Sequence, residues 1–245
     1  MSGNKKQYDL ICSLGGNCAA AHNIKQRNLR RFSLPFDWLY MLNEDPLYKL
    51  ANCFEDDFKN FFLLENLNPL PEGANTSHLD RPQYYDTYTG YRYVNHFDVP
   101  IEQGGYIPVK EKMNRRIERL YEYIQKGNVF LFVLSLPFEI NIDPIMNLHD
   151  TLKKKWPNKQ FDFEVLMFDC KEYATKTISS VCVHCYTRKM NDDDFNKANP
   201  EWNFLKQCYL NKKLYSKDYT KLKSFLISLF PHKKTRKKLR RKYHV

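Results

Sequence analysis

The stretch "YDLICSLGGNCAAAHNIKQ", residues 8–26, joins a short apolar run, a pair of glycines and a segment of helix-forming residues. The run at 8–13 has the length and composition of a buried strand, and the two glycines after it are typical of a tight exit turn. Asn17 is suited to cap a helix, which places Cys18 at the first helical position. The stretch therefore predicts a strand, a tight turn and a helix in succession.

The rest of the chain alternates predicted strands with predicted helices. Strands are predicted at 91–99, 128–136, 161–168 and 177–185, and helices at 45–54, 111–127, 143–155, 200–210 and 216–230. The polar segment 65–90 is too long for a simple connection and predicts a binding or mobile loop. The order strand, helix, strand over 91–136 predicts a crossover unit. This alternation predicts an α/β fold of three layers, a mainly parallel sheet with helices on both faces.

Composition indicates one folded domain with a charged end. Aromatic residues make up 15% of the 245 residues, which excludes general disorder, and no Pro-, Gly- or Ser-rich linker divides the chain. The last fifteen residues, 231–245, contain eight Lys or Arg and no acid, so the preceding 230 carry only +3 of the formal charge of +11. We expect a single catalytic domain over 1–230 and a polybasic tail over 231–245.

The C-terminal segment predicts contact with an anionic membrane surface. Residues 221–230, "KLKSFLISLF", place apolar side chains on one helical face, and the basic tail follows directly. An apolar face joined to a polybasic patch is a two-signal mode of reversible attachment to an anionic inner leaflet. The alternative is a last helix that packs on the core, followed by a solvated run of charge. Nucleic acid is not an expected partner, because no basic-aromatic motif occurs elsewhere.

The cellular location is predicted from two features that the sequence lacks, a membrane-spanning apolar run and a signal peptide. No run of about 18 apolar residues predicts a spanning helix, and "MSGNKKQYDL" at the N-terminus lacks the apolar core of a signal peptide. We expect a cytoplasmic protein that associates peripherally with the inner membrane face.

Seven cysteines, an odd and scattered number, favour reduced thiols over a disulfide framework. Cys12 lies inside the first apolar run and is expected in the core. Cys182 and Cys185 have CxxC spacing, but no second pair follows, and a strand would place them on opposite faces. We therefore expect no metal site.

Cys18 is the candidate nucleophile. A helix N-terminus offers free N–H groups and the positive end of the helix dipole, both of which stabilise a thiolate. The N–H of Gly16 or the amide of Asn17 is expected to hold an oxyanion, and Gly15 with Gly16 would let a substrate approach the backbone. Ligands of open α/β sheets bind beyond the carboxyl ends of strands, where Cys18 lies. The alternative is a small residue packed beneath a tight turn.

The predicted base is His96 in "VNHFDVP", which ends a predicted strand and is followed by Asp98. The alternative is a histidine that only hydrogen-bonds the loop. His184 and His149 are the next candidates, whereas His22, four residues after Cys18, is expected to be solvated or to serve the first helical turns.

"PFDW", residues 35–38, places an acid between aromatic residues. A partly buried Asp37 needs a donor, so it is predicted either to orient the catalytic histidine or to cap the following turn. Trp38 is expected beside the substrate.

The motifs "DLICSLGGNC" at 9–18, "LRRFSLPFDW" at 29–38 and "NHFD" at 95–98 resemble a bacterial family of unknown function described as papain-like cysteine peptidases. The resemblance implies a cysteine nucleophile, Cys18, and a histidine, His96. Members of this family are often associated with surface-polysaccharide gene sets, which favours group transfer over proteolysis. The Gly-Asn-Cys turn is also similar to that of a capsule-biosynthesis acetyltransferase family that binds coenzyme A.

Three functions are consistent with these patterns. The first is a cysteine-dependent acyl transferase or esterase in bacterial cell-surface polysaccharide biosynthesis, which acts on a glycan or glycolipid precursor and requires no cofactor beyond a coenzyme A thioester as a candidate donor. The second is a papain-like cysteine peptidase or amidase that uses the same residues. The third is a non-catalytic protein of glycan assembly or binding.

Overall fold

The computed structural model describes residues 5–70, 81–195, 198–212 and 214–215. The chain divides into two compact units, Met1–Tyr209 and Leu210–Val245. Of the second unit, the described residues are 210–212 and 214–215, so the fold below is that of the first. The predicted helix at 216–230 and the basic tail lie outside the described residues, and the predicted division into a domain over 1–230 and a tail stays a prediction.

The described residues form ten β-strands and four α-helices. The strands are β1 (Lys6–Tyr8), β2 (Leu10–Ser13), β3 (Leu67–Pro69), β4 (Tyr84–Asp86), β5 (Arg92–Tyr93), β6 (Val129–Leu136), β7 (Gln160–Met167), β8 (Ala174–Ile178), β9 (Val181–Cys185) and β10 (Cys208–Leu210). The helices are α1 (Cys18–Gln26), α2 (Asp45–Glu55), α3 (Tyr106–Lys126) and α4 (Asp143–Lys155). Shorter 3-10 helices cover Leu64–Asn66, Ile101–Gln103, Asp192–Phe195 and Pro200–Gln207.

A five-stranded central sheet organises this unit, in the order β2-β6-β7-β9-β8. Strands β2, β6, β7 and β9 are parallel, and β8 joins the edge as an antiparallel strand. The prediction of an α/β fold with a mainly parallel sheet flanked by helices is confirmed. Strand β2 ends at Ser13, opposite Val133, and β6 continues beyond it to Leu136.

Aromatic side chains pack between one face of this sheet and the helices that cover it. Phe132 of β6 contacts Phe54 of α2 at 6.4 Å between ring centroids, and Phe161 of β7 contacts Trp156 at 6.1 Å. Both contacts lie on the face to which even positions of β6 and odd positions of β7 point. Burial of each phenylalanine contributes about 1.5–3 kcal/mol, so this face is a main source of stability.

The start of α1 follows the sequence prediction. The helix begins at Cys18, and the Asn17 side-chain oxygen accepts a hydrogen bond from the Ala19 N–H at 2.8 Å. Helix α3 ends at Lys126, directly before the predicted stop at Gly127. These boundaries were predictable because caps depend on adjacent residues.

A second, smaller sheet occupies part of the segment that was predicted to be a loop. Strands β3, β4 and β5 form an antiparallel sheet, and Tyr40 adds an isolated bridge to Arg92. Residues 71–80 of the predicted loop lie outside the described residues. The predicted strand at 91–99 is only two residues long and belongs to this sheet, so the crossover predicted over 91–136 is wrong. The parallel neighbours of β6 are β2 and β7.

Two other predictions near the C-terminal end of this unit are wrong. The single strand predicted at 177–185 is a hairpin, β8 and β9, which turns at Ser179 with φ 56°. Serine does not mark a left-handed turn as glycine does, so the reversal was not visible in the sequence. The helix predicted at 200–210 is a 3-10 helix followed by β10.

Among the residues that the structure describes, no helix combines the length and apolar character needed to cross a membrane.

Candidate active site

Gly15 and Gly16 make the turn between β2 and α1. Both have left-handed backbones, with φ 84° and 87°. A Cβ atom on Gly15 would lie 3.1 Å from the Leu39 carbonyl oxygen, and one on Gly16 would clash with the Ser135 carbonyl oxygen. The glycines thus allow neighbouring protein segments to approach the turn. Approach of a substrate to these glycines stays a prediction that the contacts on the Cβ side do not support, because protein backbone lies there.

Asn17 ties the turn to the end of β6. Its side-chain nitrogen donates to the Ser135 carbonyl oxygen at 2.9 Å and lies 3.1 Å from the Met190 sulfur. Its side-chain oxygen accepts the Ala19 N–H at 2.8 Å. Both ends of the amide therefore have partners within the fold, and an oxyanion role for Asn17 stays a prediction that these contacts do not support.

Cys18 is the first residue of α1 and is partly exposed. Its thiol is hydrogen-bonded to the Tyr40 hydroxyl. Burial raises the pKa of the Cys18 thiol above its usual value, and the hydrogen bonds from Tyr40 and from its own backbone N–H offset only part of that increase. The thiolate predicted at the helix start stays a prediction that this direction of the pKa does not support, because desolvation outweighs the favourable contacts.

Tyr40 was not identified from the sequence. Burial and the contact with Cys18 raise the pKa of its hydroxyl, so this group keeps its proton at neutral pH. The Cys18 thiol can therefore give its proton to the Tyr40 oxygen, while the Tyr40 hydroxyl gives its own proton to a third group. The position follows "PFDW" closely, but one tyrosine among 17 gives no pattern that would single it out.

The Tyr40 backbone joins the active-site turn to the small sheet. Its N–H donates to the Arg92 carbonyl oxygen at 3.2 Å, and the Arg92 N–H donates to the Tyr40 carbonyl oxygen at 2.9 Å. Side chains of residues paired in this way point to the same side of an antiparallel ladder. Arg92 is also opposite Tyr85 of β4. We call Tyr40, Arg92 and Tyr85 the tyrosine–arginine row.

Arg92 is a buried cation without a counter-ion among the described residues. Its relative exposure is 6%, and its Nε and Nη2 atoms have no hydrogen-bond partner in those ranges. Burial lowers the pKa of its guanidinium. A buried, unpaired guanidinium is costly, so the position favours an anionic ligand.

His96 is buried, with 5% exposure, and packs against the Tyr93 ring at 5.5 Å. Within the described ranges neither ring nitrogen has a side-chain hydrogen-bond partner, and the Trp38 backbone lies close enough to favour the protonated ring slightly. Burial, with smaller effects from the positive charges of Arg116 and Lys112, lowers the pKa of His96 to about 3. An imidazole with so low a pKa is a weak base for a thiol. The catalytic role of His96 stays a prediction that its surroundings do not support.

The two predicted acids do not reach this histidine through hydrogen bonds. The Asp98 side chain is 83% exposed and pairs with Arg81 at 3.2 Å. Asp37 is buried, accepts the Leu34 N–H at 2.9 Å and pairs with Arg30 at 3.1 Å. Burial raises the pKa of Asp37, and Arg30 is the largest opposing influence. These contacts hold Asp37 to the residues that precede it, and both of its predicted roles, orienting the histidine and capping the following turn, stay predictions.

Trp38 lies in the chain between Phe36 and Leu39, whose carbonyl oxygens are close to Gly15. It has a left-handed backbone with φ 69°, and the Arg30 guanidinium lies 5.2 Å from its ring centroid. A bulky residue in this region of φ and ψ is uncommon and indicates a backbone that its surroundings hold in place. Contact between Trp38 and a substrate stays a prediction.

The remaining candidate bases lie in other contacts. His149 Nε2 is 2.9 Å from the Ser180 hydroxyl, and His184 Nε2 is 2.8 Å from a Glu164 oxygen. His22 is hydrogen-bonded to Gln26 at 2.9 Å. In the portions of the chain that are described, no histidine is hydrogen-bonded to the Cys18 thiol. His78 lies outside them.

These features define an α/β protein that presents a cysteine at the start of the helix after its first central strand. The chain belongs to the family described as "Putative papain-like cysteine peptidase (DUF1796)", whose profile matches residues 9–173. The matched segment includes Cys18, Tyr40 and Arg92. Membership supports cysteine-based catalysis and leaves the reaction open.

One relative is an uncharacterized protein of Acanthamoeba polyphaga mimivirus, 24% identical over 158 residues, which are 58% of this chain and 70% of the viral protein. No solved structure matches the chain. The resemblance to the papain-like family is thus confirmed, but this relative is viral and not bacterial. The similarity to coenzyme A-dependent acetyltransferases stays a prediction.

Proposed function

We propose that the protein is a cysteine-dependent acyl-transfer enzyme in which Cys18 forms a thioester with an ester or thioester substrate. The hydrogen bond between the Cys18 thiol and the Tyr40 hydroxyl is the observation that carries this proposal. It places a nucleophilic sulfur and a proton-bearing group together at the carboxyl edge of a parallel sheet, where α/β enzymes bind their ligands.

The proton balance runs through Tyr40. The Cys18 sulfur attacks the acyl carbon, and its proton moves to the Tyr40 oxygen while the Tyr40 proton moves to the leaving oxygen or sulfur. The carbon–sulfur bond of the acyl-enzyme forms, and the bond to the leaving group breaks. A sugar hydroxyl or water then attacks the thioester and returns a proton by the same route.

The pKa directions favour activated acyl groups over amides. The Cys18 thiol and the Tyr40 hydroxyl both have raised pKa values, so the pair provides neither a strong base nor a strong acid. An amide needs its leaving nitrogen protonated, whereas a thiolate or alkoxide leaves more readily. Coenzyme A thioesters and activated esters therefore fit this pair better than peptides.

Arg92 supports an anionic substrate. Among the described residues its Nε and Nη2 atoms have no hydrogen-bond partner, and the backbone pairing directs its side chain to the same side of the ladder as that of Tyr40. A phosphate or carboxylate at this position would receive charge-assisted hydrogen bonds. Phosphate groups occur in coenzyme A and in activated glycan precursors, the donor and acceptor that the sequence predicts.

A papain-like peptidase or amidase is the second candidate. The family description supports it, since the matched residues 9–173 include Cys18. The same sulfur would attack a peptide carbonyl, and an acid stronger than Tyr40 would have to protonate the leaving amine.

The deciding experiment is intact mass spectrometry after incubation with acetyl-coenzyme A, with an aryl acetate ester and with an unfolded polypeptide. We expect one acetyl adduct in the wild-type protein and in Cys182→Ser, and none in Cys18→Ala. Polypeptide cleavage that Cys18→Ala abolishes, without an adduct, would favour the peptidase. Neither adduct nor cleavage would contradict both enzymatic functions.

The role of Arg92 has a separate test. We expect Arg92→Ala to raise KM for acetyl-coenzyme A by about 10–100-fold, in keeping with one lost charge-assisted contact, and to leave KM for the uncharged aryl ester nearly unchanged. Arg115→Ala, which removes an exposed cation paired with Glu111 at 3.8 Å, is the matched control. Equal KM increases for both substrates would exclude an anion-binding role for Arg92.

The predicted glycan acceptor and membrane association are part of this proposal. The membrane prediction depends on residues 231–245, which lie outside the described residues. Vesicle flotation of the full chain and of a chain that ends at 230 tests it. We expect only the full chain to bind anionic lipid, and equal binding to neutral lipid would contradict the electrostatic mechanism.

A further inference from the structure

A second cluster of reactive side chains lies on the central sheet and is not used by the proposed reaction. It consists of Glu164 of β7 with Cys182 and His184 of β9. One ligand atom of each lies within 4.8 Å of the other two. The His184 Nε2 atom is 2.8 Å from the Glu164 Oε2 atom and 3.4 Å from the Cys182 sulfur.

The register of the sheet produces this convergence. Glu164 is directly opposite Cys182 in the parallel pairing of β7 with β9. Residues two apart in a strand point to the same face, so His184 lies beside Cys182 on that face. Cys185 falls on the opposite face, as the alternation predicts. The local motif is therefore Cys-x-His with a carboxylate across the strand, and not the CxxC spacing visible in the sequence.

The imidazole is oriented so that one nitrogen serves both neighbours. Nε2 is the atom that approaches Glu164 and Cys182, while Nδ1 is 3.5 Å from the Thr175 hydroxyl. Without a metal, Nε2–H donates to Glu164, and a shift of the hydrogen to Nδ1, which faces Thr175, frees the Nε2 lone pair for a metal ion. Metal-binding histidines are commonly held in this way by a partner on the second nitrogen.

The chain also shields the cluster in part. The His184 and Glu164 side chains are 18% and 22% exposed, and the Phe204 ring stacks with His184 at 6.1 Å between centroids. The Thr177 hydroxyl donates to the Cys182 sulfur at 3.7 Å. The cluster thus offers sulfur, nitrogen and oxygen donors that are partly covered, and neighbouring side chains hydrogen-bond to these donors and orient them, as happens around bound metal ions.

We propose that Glu164, Cys182 and His184 bind a zinc ion, with one coordination position left for water or another ligand. Thiolate and imidazole ligands favour Zn²⁺ over Mg²⁺ or Ca²⁺, which prefer oxygen. The thiolate and the carboxylate neutralise the two positive charges of the ion. Three protein ligands with one open position are the arrangement of many catalytic zinc sites.

The distances suit this ion after a small adjustment. With Zn–N of about 2.0–2.1 Å and Zn–S of about 2.3 Å in tetrahedral geometry, the nitrogen and sulfur would be about 3.5 Å apart. The observed separation is 3.4 Å. The Glu164 oxygen, now 2.8 Å from Nε2, would move outward by roughly 0.6 Å as it exchanges a hydrogen bond for a zinc bond.

Zinc binding must displace the proton of the Cys182 thiol. Burial raises the pKa of this thiol, and the nearby Glu164 charge adds to that effect. Zinc binding therefore releases one proton to solvent, and the apparent affinity increases with pH.

The test is a titration of chelator-treated full-length protein with ZnCl₂ in competition with a chromophoric chelator. We expect one zinc ion per chain, and at least about 100-fold weaker binding in Cys182→Ser and in His184→Ala. Cys185→Ser removes a thiol on the opposite face of the same strand and should bind as the wild type does. No binding by the wild type, or equal binding by Cys182→Ser, would overturn the proposal.

Cobalt substitution keeps the proposal testable if a variant fails to fold. We expect the wild-type protein with Co²⁺ to show a thiolate-to-cobalt charge-transfer band that Cys185→Ser retains. Cobalt bound without that band would show that Cys182 is not a ligand and would contradict the proposed site.

Discussion

Cys18 begins the helix that follows the first strand of the central sheet, whereas Cys182 lies within another strand of that sheet, and the two thiols differ in what surrounds them. Cys18 begins a helix beyond the end of β2, and its thiol contacts a phenol. Cys182 lies within β9, where its sulfur is 3.4 Å from an imidazole nitrogen. Burial raises the pKa of both thiols, so desolvation does not distinguish them. The partner groups do: a proton-bearing hydroxyl suits acyl transfer, and nitrogen and oxygen donors suit a cation.

The largest expected effect separates these two cysteines by activity. We expect Cys18→Ala to reduce acyl transfer by at least about 10³-fold, because it removes the nucleophile. Cys182→Ser should keep activity within about twofold, since its cluster takes no part in the reaction. Initial rates with acetyl-coenzyme A provide the measurement. Similar losses of activity in both variants would contradict the claim that the Cys182 cluster takes no part in acyl transfer.

The Tyr40→Phe variant tests whether the hydroxyl affects the pH dependence of the Cys18 thiol. The Tyr40 hydrogen bond lowers the pKa of Cys18, so its loss should move the midpoint of Cys18 alkylation to higher pH. We expect acyl transfer to decrease by about 10–100-fold, because the proton path through the hydroxyl is lost. Thr177→Val, which removes the hydroxyl that donates to Cys182, is the control. An unchanged alkylation midpoint in Tyr40→Phe would exclude the coupling.

The turn before Cys18 should also be less tolerant of substitution than the strand that holds Cys182. Gly16→Ala adds a Cβ that collides with the Ser135 carbonyl oxygen at φ 87°. We expect a loss of about 3 kcal/mol in the free energy of unfolding, measured with urea. Gly104→Ala has a similar φ of 88° but open space around it, and should cost only about 1 kcal/mol. Equal costs would show that the backbone angle alone explains the effect.

How much of this was predictable differs between the two regions. The turn, the cap at Asn17 and the helix start at Cys18 follow from neighbouring residues, so the sequence predicts them. Tyr40 contacts Cys18 through its side chain and pairs with Arg92 through its backbone, and contacts between segments so distant in the chain leave no local pattern. At Cys182 the sequence predicts one feature correctly, because the alternation of side chains in a strand places Cys182 and Cys185 on opposite faces. The partner across the sheet, Glu164, required the register.

The prediction with the smallest expected effect at neutral pH concerns His96, the predicted base. The folded-state pKa of about 3 lies below the usual 6.5, so the folded protein binds fewer protons between these values. Stability should therefore decrease as pH falls from about 6.5 toward 3, by up to about 1.4 kcal/mol per pH unit. Since neither ring nitrogen has a described side-chain partner, we expect His96→Leu to fold and to flatten this slope.

Urea unfolding at several pH values, with acyl-transfer rates measured alongside, tests both views of His96. Activity of His96→Leu within about tenfold of the wild type would agree with the low pKa. A loss as large as that of Cys18→Ala would instead identify His96 as the base after all.

Trp38 gives the turn an optical label of its own. Its indole is partly exposed and lies over Arg30, whereas Trp202 is fully buried. The third indole, Trp156, packs against the Tyr121 ring at 5.7 Å. Indole emission shifts to longer wavelength in polar surroundings, so Trp38 and Trp156, which are both partly exposed, should supply the red edge of the fluorescence spectrum. A ligand that enters beside Cys18 would then be detectable in the unlabelled protein as a change in colour and quenching, before any chemistry takes place.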